Sequence, residues 1–347
     1  MTEAVLAVDL ACNRIAEAVL DRDGKILVRR TERLETYSPE PALRQIGRIA
    51  GELAKIGRGY RLVAAGIALD EIVGRDGTLK SEVETWDKLS LARRASQRLK
   101  MPVAIETTCR AAILGECWRG FGRGKADVIL LQVGQKIQAA ILASGKLLRG
   151  AHDLAGGAGW MAVSEADGFE VRKFGGLEAF TSAAGVVRAA KNAIDAGFGG
   201  AMAEYVAEAF TAEDVAELAR RGDLAARQIF RRIGKTLGLA VANLISLCDP
   251  QVVVLGGELM AASDLFWDEL ANTAVGRCQP LASRKVRLRI SGLGADAPLL
   301  GVGHLAWNLL EKPEEKVLEE KRNGTAPGGF SHRQTKSAKK FSLAVAR

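Results

Sequence analysis

The sequence is poor in the residues that cross-link small domains or bind metals in them. It has five cysteines in 347 residues, and they stand far apart, at positions 12, 109, 117, 248 and 278, with no CxxC pair. Disulfide frameworks and zinc knuckles both require closer, paired spacing. We therefore expect neither, and we interpret the cysteines as small buried residues.

Long hydrophobic runs are also missing. The most apolar stretches, at residues 128–133 and 237–247, are too short or too interrupted for a bilayer span, which needs about 20 apolar residues. The first residues, MTEAVLAVDLAC, have neither the basic start nor the small-residue cleavage site of a secretory signal. These absences predict no membrane partner and a cytoplasmic location.

Acidic residues are absent from one part of the chain. The net charge is +8, but residues 321–347 contain seven lysines and arginines and no Asp or Glu. The rest of the chain is therefore close to neutral, and the broad basic face of a nucleic-acid-binding domain is not required. Residues 312–347 have too little apolar content to pack, so we expect a disordered basic tail that binds nucleic acid weakly at most.

The whole chain is 48% hydrophobic. Ahead of the basic tail, the sequence falls into two similar halves. Each half opens with adjacent strand-like runs and continues with helical patterns. The runs are residues 4–10, 14–20 and 25–29 in the first half, and 126–133, 137–142 and 146–149 in the second. Residues 74–79 are interpreted as a loop. The alternation predicts an α/β protein.

One stretch combines a strand with the start of a helix. Residues 103–107 form a short apolar run, and residues 108–116, TCRAAILGE, continue in an alanine-rich helical pattern. Such a corner commonly carries reactive groups, because the carboxyl end of the strand and the helix N-terminus open on the same crevice. The residues at this corner are Thr107 and Thr108.

Two runs resemble the ROK family, which groups sugar kinases and sugar-responsive repressors in the actin-like ATPase superfamily. They are VVVLGGEL after an Asp-Pro stop and LLQVGQKIQAAILASGKLLRGAHDLAGGAGWMAV. The likeness covers residues 3–311 and implies a two-domain actin-like (ribonuclease H-like) fold, with two mixed sheets flanked by helices around a central cleft. The implied domains are residues 3–118, completed by a helix at 298–311, and residues 119–297.

The kinases of this family bind the ATP phosphates with two glycine-rich turns. The DxGGTK-like turn reads DLACNR here, and the GTGIG-like turn reads GQKIQ, so side chains take the space of phosphate oxygens. A third turn, on the adenosine side, keeps its two glycines. The resemblance therefore gives these nucleotide-binding candidates: Asp9, Arg14, Gly134, Gly256 and Gly257.

The catalytic segment of the family reads like ENDANAAALGE, and its Asp is the general base. The matching residues here are ETTCRAAILGE, which places Thr108 at the base position and Thr107 beside it. A threonine hydroxyl cannot act as a base near neutral pH, and removing a general base slows a reaction by roughly 10²–10⁴. The resemblance therefore implies no catalytic residue at this position.

The sugar- and zinc-binding motifs of the family are altered as well. The AGEIGH-like motif reads AGGAGW, so Gly157 replaces the sugar-binding Glu and Trp160 replaces the His. The CxCGxxGCxE zinc loop matches residues 169–178, which contain no cysteine, and only its last acid is kept. We therefore expect no metal and no zinc. The ligand-binding candidates are Glu178, Glu106, Asp153 and Trp160.

Each candidate also has a plain structural interpretation. Asp9 could cap a turn, and Glu178 could be a first-turn acid favoured by the helix dipole. Gly256 and Gly257 could serve tight strand-to-helix packing. Trp160 could offer its ring to a ligand or fill the vacated sugar and zinc space, and we expect the second.

The joint changes favour a ROK-fold protein without kinase chemistry that acts as a sugar-binding, regulatory or scaffold protein. The alternative is an active glucokinase- or N-acetylhexosamine-kinase-type enzyme that uses ATP and Mg²⁺, with Asp153 or Glu106 as a displaced base. A third hypothesis is a transcriptional regulator. ROK repressors carry a winged-helix domain ahead of the first strand, which begins near residue 4 here, so DNA binding would require the tail. By resemblance we expect a homodimer.

Overall fold

The first half of the chain forms a sheet with helices packed against it. The structure is a computed structural model and describes residues 1–11, 13–56, 59–205 and 210–311. The elements of this half are β1 (Thr2–Leu10), β2 (Arg14–Leu20), β3 (Ile26–Arg33), α1 (Pro39–Ile56), β4 (Tyr60–Leu69), β5 (Ile72–Val73), β6 (Leu79–Lys80), α2 (Leu91–Leu99), β7 (Val103–Thr107) and α3 (Thr108–Arg119).

The first sheet has five strands in the order β3-β2-β1-β4-β7. Strands β1, β4 and β7 are parallel, and they end in register, with Leu69 opposite both Leu10 and Thr107. The central strand β1 is buried from Ala4 to its end because both of its faces are covered. The carboxyl ends of three strands therefore lie side by side at one edge.

The second half repeats this arrangement. Its elements are β8 (Val128–Val133), β9 (Ile137–Ala143), β10 (Lys146–Leu147), α4 (Phe169–Phe174), α5 (Gly176–Thr181), α6 (Ala183–Asp195), α7 (Ala212–Arg220), α8 (Leu224–Cys248), β11 (Val252–Gly256), α9 (Trp267–Arg277), α10 (Pro280–Ser283), β12 (Arg287–Ile290) and α11 (Ala297–Asn308). The sheet order is β10-β9-β8-β11-β12, and β8, β11 and β12 are parallel. Short 3₁₀ turns precede α9 and α11.

The two antiparallel meanders predicted from the sequence are confirmed as β1-β2-β3 and β8-β9-β10. The loop predicted at residues 74–79 is bounded by β5 and β6, which pair as a separate hairpin. Two-residue strands have no periodicity that a sequence pattern could show, so they were not predicted.

Helix α11 returns from the end of the second half to pack on the first. It contacts β1 and β4 of the first sheet and lies against α3. The two helix backbones approach so closely that a Cβ on Gly301 would overlap the carbonyl group of Ala111. A Cβ on Gly115 would likewise overlap the carbonyl oxygen of Ala297. Glycine at both positions therefore allows the close packing of α3 and α11.

Residues Met1–Leu309 form one compact unit. The proposed boundary between residues 118 and 119 stays a prediction, and the predicted tail at residues 312–347 lies outside the described residues. No helix within the described ranges is long and apolar enough to span a membrane.

The cysteines mostly follow the expectation of small buried residues. Cys109 and Cys278 are buried, whereas Cys117 and Cys248 are only partly buried, and all four are free thiols. Burial raises the pKa of Cys109 to about 12, which makes it a poor nucleophile. Cys12 is not among the described residues.

Candidate functional site

The strand-to-helix corner at the two threonines is confirmed. Strand β7 ends at Thr107 and helix α3 begins at Thr108. The Thr107 hydroxyl oxygen accepts a hydrogen bond of 3.0 Å from the backbone N–H of Val73 on β5. Thr107 therefore attaches the β5–β6 hairpin to the first sheet, and its side chain makes no capping bond to α3.

Thr108 faces a cavity of about 490 Å³. Its hydroxyl oxygen is buried and has no hydrogen-bond partner among the described residues. The cavity lies where the carboxyl ends of the parallel strands of both sheets meet, which is the usual ligand-binding edge of an α/β fold. It brings together five of the predicted site residues: Asp9, Arg14, Thr108, Gly134 and Gly257.

Asp9 is the most deeply buried acid of this cavity, with no exposed surface. One carboxylate oxygen accepts a hydrogen bond of 2.9 Å from Arg14, and the other has no hydrogen-bond partner among the described residues. Burial raises the pKa of Asp9 to about 6, against the attraction of Arg14, and the nearby carboxyl groups of Asp70 and Glu258 raise it further. These contacts do not support the turn-capping interpretation.

One of the predicted nucleotide-binding glycines, Gly257, must be glycine for a structural reason. Gly257 has φ of +97°, and a Cβ there would lie 2.5 Å from the carbonyl oxygen of Val133. Gly256 and Gly134 have no positive φ, and a Cβ at either would come no closer than 3.4 Å to a neighbour. Gly256 is also not among the residues that line the cavity. The packing interpretation therefore fits Gly257 best.

Larger side chains line the cavity where the family has its second phosphate turn. Gln135 and Lys136 lie in the turn between β8 and β9, Gln138 is the second residue of β9, and all three line the cavity. Asp70, Gln132 and Glu258, which the sequence reasoning missed, are also part of its wall. Asp70 directly follows strand β4, and Glu258 follows the glycine turn after β11, so an acid just beyond a buried strand was the available signal.

Glu106 and Asp153 do not line this cavity; both are held in ion pairs beside it. The Glu106 carboxylate is paired with Arg149, lies 3.8 Å from Arg110 and accepts the Thr107 N–H at 2.9 Å. Burial raises the pKa of Glu106, and Arg149 opposes that shift.

Asp153 lies on the loop after β10. Its carboxylate lies 3.0 Å from Lys80 and 3.3 Å from Arg75, and the hydrogen bond from Lys80 lowers its pKa. Arg149 and Arg110 were given no role from the sequence. One feature of the sequence could have identified Arg110: it is the only charged residue in the first turn of α3, which otherwise has the small residues Thr, Cys and Ala.

Glu178 lies in the first turn of α5, as the dipole interpretation expects. Its Oε2 also accepts a hydrogen bond of 2.8 Å from the backbone N–H of Ile137 at the start of β9. Burial raises the pKa of Glu178, and the Ile137 N–H opposes that shift. The side chain therefore joins α5 to the second sheet.

Trp160 is 63% exposed, so the expectation that it fills the vacated space is wrong. It ends a 3₁₀ turn (Ala158–Trp160) whose backbone packs against Gly175, and this contact leaves the indole outside. Next to it, a Cβ on Gly157 would meet nothing closer than 3.7 Å. The exposed ring remains available as a stacking surface.

The residues at the zinc-loop positions do not fit a zinc ion. Phe169, Val171, Gly176 and Trp160 carry no side-chain atom that binds zinc. Within the described ranges, no group of three or more His, Cys, Asp or Glu residues could hold a metal ion.

Known proteins resemble the chain over most of its length. The ROK family model matches residues 5–308. A glucokinase of Halalkalibacterium halodurans is 30% identical over 239 residues, which are 68% of this chain and 71% of the glucokinase. A glucokinase from Streptomyces griseus, solved with glucose and AMPPNP, superposes with a TM-score of 0.73 at 26% identity, covering 88% of this chain and 99% of that one.

A ROK family transcriptional regulator, a homologue of the E. coli MLC protein, has a TM-score of 0.77. It is 19% identical and covers 87% of this chain, while this chain covers 77% of it. These structures define the class as an α/β protein with the actin-like ATPase fold, two mixed sheets flanked by helices. Within that class, the chain belongs to the ROK family.

Proposed function

We propose that this chain is a ROK protein that binds a sugar or sugar derivative without phosphorylating it and serves a regulatory or scaffold role. The observation that carries the proposal is Thr108, which stands at the first position of α3 and faces the cavity where the kinases of the family are expected to hold their general base. A neutral hydroxyl in that place can donate or accept a hydrogen bond to a ligand, but it cannot remove a proton from a sugar hydroxyl near neutral pH.

The two acids that could replace the base are poorly placed for that role. Glu106 is paired with Arg149, and Asp153 is paired with Lys80 and Arg75. Neither side chain lines the cavity that Thr108 faces. A base must come within hydrogen-bond reach of the proton it removes. These contacts support the proposal against a displaced base.

The charge of the cavity supports a neutral or hydroxyl-rich ligand. Its wall has three acidic side chains, Asp9, Asp70 and Glu258, and two basic ones, Arg14 and Lys136. A polyphosphate without a cation would meet a net negative surface, whereas hydroxyl groups can donate to carboxylates. The relatives named for glucose phosphorylation and the glucose-bound Streptomyces griseus glucokinase support the sugar class.

One observation favours the active-kinase alternative. Asp9 lines the cavity from the end of β1, where the kinases of the family place an acid next to their phosphate turn, and one of its carboxylate oxygens has no hydrogen-bond partner in the part of the chain that the structure describes. In that alternative the chain would use ATP with Mg²⁺. The acid alone supports binding rather than transfer, because it supplies no base next to the sugar hydroxyl.

Binding and transfer can be separated in one sample. Isothermal titration with glucose, N-acetylglucosamine and N-acetylmannosamine measures binding, and coupled ADP detection after addition of Mg-ATP measures transfer. We expect a sugar to bind and to stabilise the fold, by about 2.7 kcal/mol at 100 times its dissociation constant, with no ADP above the enzyme-free background. ADP formation that depends on the sugar would contradict the proposal.

We also propose a cytoplasmic homodimer with two domains, residues 3–118 with the final helix and residues 119–297. The support is the resemblance together with the two sheets, whose strands fall at residues 2–107 and 128–290. Light scattering after gel filtration tests the dimer. A mass of one chain, 37.0 kDa, at all concentrations would contradict it.

A further inference from the structure

A group of charged residues joins the two walls of the crevice next to Thr107. One wall is the β5–β6 hairpin with the end of β7 and the start of α3, which belong to the first half of the chain. The other is the loop at residues 149–155, which follows β10 of the second sheet. Side chains of each wall cross the gap and bind groups on the other.

Arg149 crosses from the second wall to the first. Its guanidinium donates a hydrogen bond of 3.1 Å to the carbonyl oxygen of Val73 on β5 and is paired with the Glu106 carboxylate on β7. Glu106 is 1% exposed. An arginine that binds a buried carboxylate in this way holds its own loop against the strand.

Arg110 crosses in the opposite direction. It stands in the first turn of α3, is 4% exposed, and donates 3.1 Å to the same Val73 carbonyl oxygen. Its other terminal nitrogen donates to the carbonyl oxygen of Asp153 on the second wall. Two arginines from opposite walls therefore converge on one backbone carbonyl group.

Three side chains of the first wall contact Asp153: Arg110, as described above, Lys80 and Arg75. Lys80 and Arg75 bind its carboxylate and also donate, at 2.7 Å each, to the carbonyl oxygens of His152 and Gly150. Asp153 has φ of +62°, a left-handed conformation that L-residues adopt rarely. Such a conformation persists where the surrounding contacts hold it in place.

We propose that Arg110, Arg149 and Asp153 form an internal latch that holds the two walls of the crevice together beside Thr107. The contacts are made by the chain's own side chains, so the two walls need no bridging ligand to stay together. The latch is independent of whether phosphoryl transfer occurs.

Hydrogen exchange of the full chain without ligand tests the latch. In the wild-type protein, the amides of residues 72–80 and 149–155 are expected to be protected in buffer alone, and a high concentration of glucose should leave their exchange unchanged. Fast exchange of both segments in buffer, with protection appearing only on addition of glucose, would show that a ligand closes the walls and would overturn the proposal.

The paired variant Arg149→Met with Glu106→Gln removes the Arg149–Glu106 half of the latch, and the buried Arg110 guanidinium keeps its hydrogen bonds to the carbonyl oxygens of Val73 and Asp153. We expect exchange in residues 72–80 and in residues 149–155 to rise together by at least about tenfold. Arg220→Met with Asp264→Asn is the matched control, because it removes an Arg–carboxylate pair at the surface of the second half, and both segments should keep wild-type exchange. A rise in neither segment, or in one alone, contradicts the latch.

A second variant keeps the test informative if the first does not fold. Arg75→Met with Lys80→Met changes side chains that are 64% and 41% exposed, so the core is untouched. Exchange should again rise on both walls, by less than in the first variant because Arg110 and Arg149 remain. Unchanged exchange in residues 149–155 would show that Arg75 and Lys80 do not hold the loop of Asp153 against the first wall, which contradicts the proposal.

Discussion

Asp9 combines complete burial with an incomplete set of hydrogen bonds. One carboxylate oxygen is bound to Arg14, while the other faces the cavity without a partner among the described residues. Burial raises its pKa from 3.8 to about 6. Since the unfolded chain ionises this group near its ordinary value, the folded state binds a proton more tightly, and ionised Asp9 destabilises the fold above pH 6.

The change Asp9→Asn should therefore become more favourable as the pH rises. As the pH rises from 4 to 6, the free energy of unfolding of the variant should increase relative to wild type by about 1.4 kcal/mol for each unit of the pKa shift. The loss of the ion pair with Arg14 makes this gain smaller. Urea unfolding at several pH values measures the difference.

Asp214→Asn gives the opposite pH dependence and serves as the control. The Thr211 hydroxyl and N–H lower the pKa of Asp214, so its contribution is present at neutral pH and is lost as the pH falls through the folded-state pKa. If the difference between Asp9→Asn and wild type were the same at pH 4 and pH 7.5, the assignment of a raised pKa to Asp9 would be wrong.

We predict that two substitutions at the corner do not create a working general base. We expect the double variant Thr107→Asn with Thr108→Asp to form no sugar phosphate, because Lys136 and Gln138 still line the cavity and the Thr107 bond to Val73 is removed. A coupled kinase assay checks this, with an active glucokinase as the positive control. Sugar-dependent turnover by the variant would show that the base alone was missing.

At the level of the elements, the contact between α3 and α11 positions the corner. The two helices meet at Gly115 and Gly301, and α11 also contacts β1 and β4, so the start of α3 is fixed relative to the ends of those strands. The sequence predicted both helices from their patterns. The resemblance implied that the last helix completes the first domain, but the residue pattern could not identify Gly115 and Gly301 as the points of contact, because small residues alone do not identify a partner.

Gly301→Ala should destabilise the protein by about 1–3 kcal/mol or more, because its Cβ would overlap a backbone carbonyl that cannot rotate away. Gly51→Ala on α1 is the matched control. Its Cβ would meet nothing within 4 Å, so the same substitution should stabilise the helix by about 0.5–1 kcal/mol. Thermal unfolding measures both, and equal melting temperatures for the two variants would contradict the packing account.

The candidate site was predictable to different degrees, for physical reasons. Thr108 was found from its place at the corner between a strand and a helix, and Asp9 and Gly257 were found from the resemblance; all three stand at the ends of buried strands, which converge in a parallel sheet. Arg110 and Arg149 were missed because their partners are backbone carbonyl groups and a carboxylate on the opposite wall. Trp160 was predicted to fill the space vacated by the family's sugar and zinc ligands, but its short turn packs through the backbone and leaves the ring outside.

At the scale of the whole molecule, the fold is that of the ROK family, whereas the residues that line the crevice differ from those of the family's kinases. The ROK fold is complete from the first strand to α11, and a cavity remains where the ends of both sheets meet. The wall of that cavity has a threonine at the base position, and the neighbouring acids are bound to arginine and lysine side chains. This combination supports the proposal that the protein binds a ligand without phosphorylating it.

The most direct test of this account is a single-turnover experiment with the protein in excess over γ-labelled ATP, with Mg²⁺ and a sugar shown to bind. Sugar kinases and other phosphoryl-transfer enzymes of ordinary efficiency turn over about 1–100 times per second. The account predicts no labelled sugar phosphate after minutes, while the labelled ATP is recovered intact. Labelled sugar phosphate formed within seconds would contradict it.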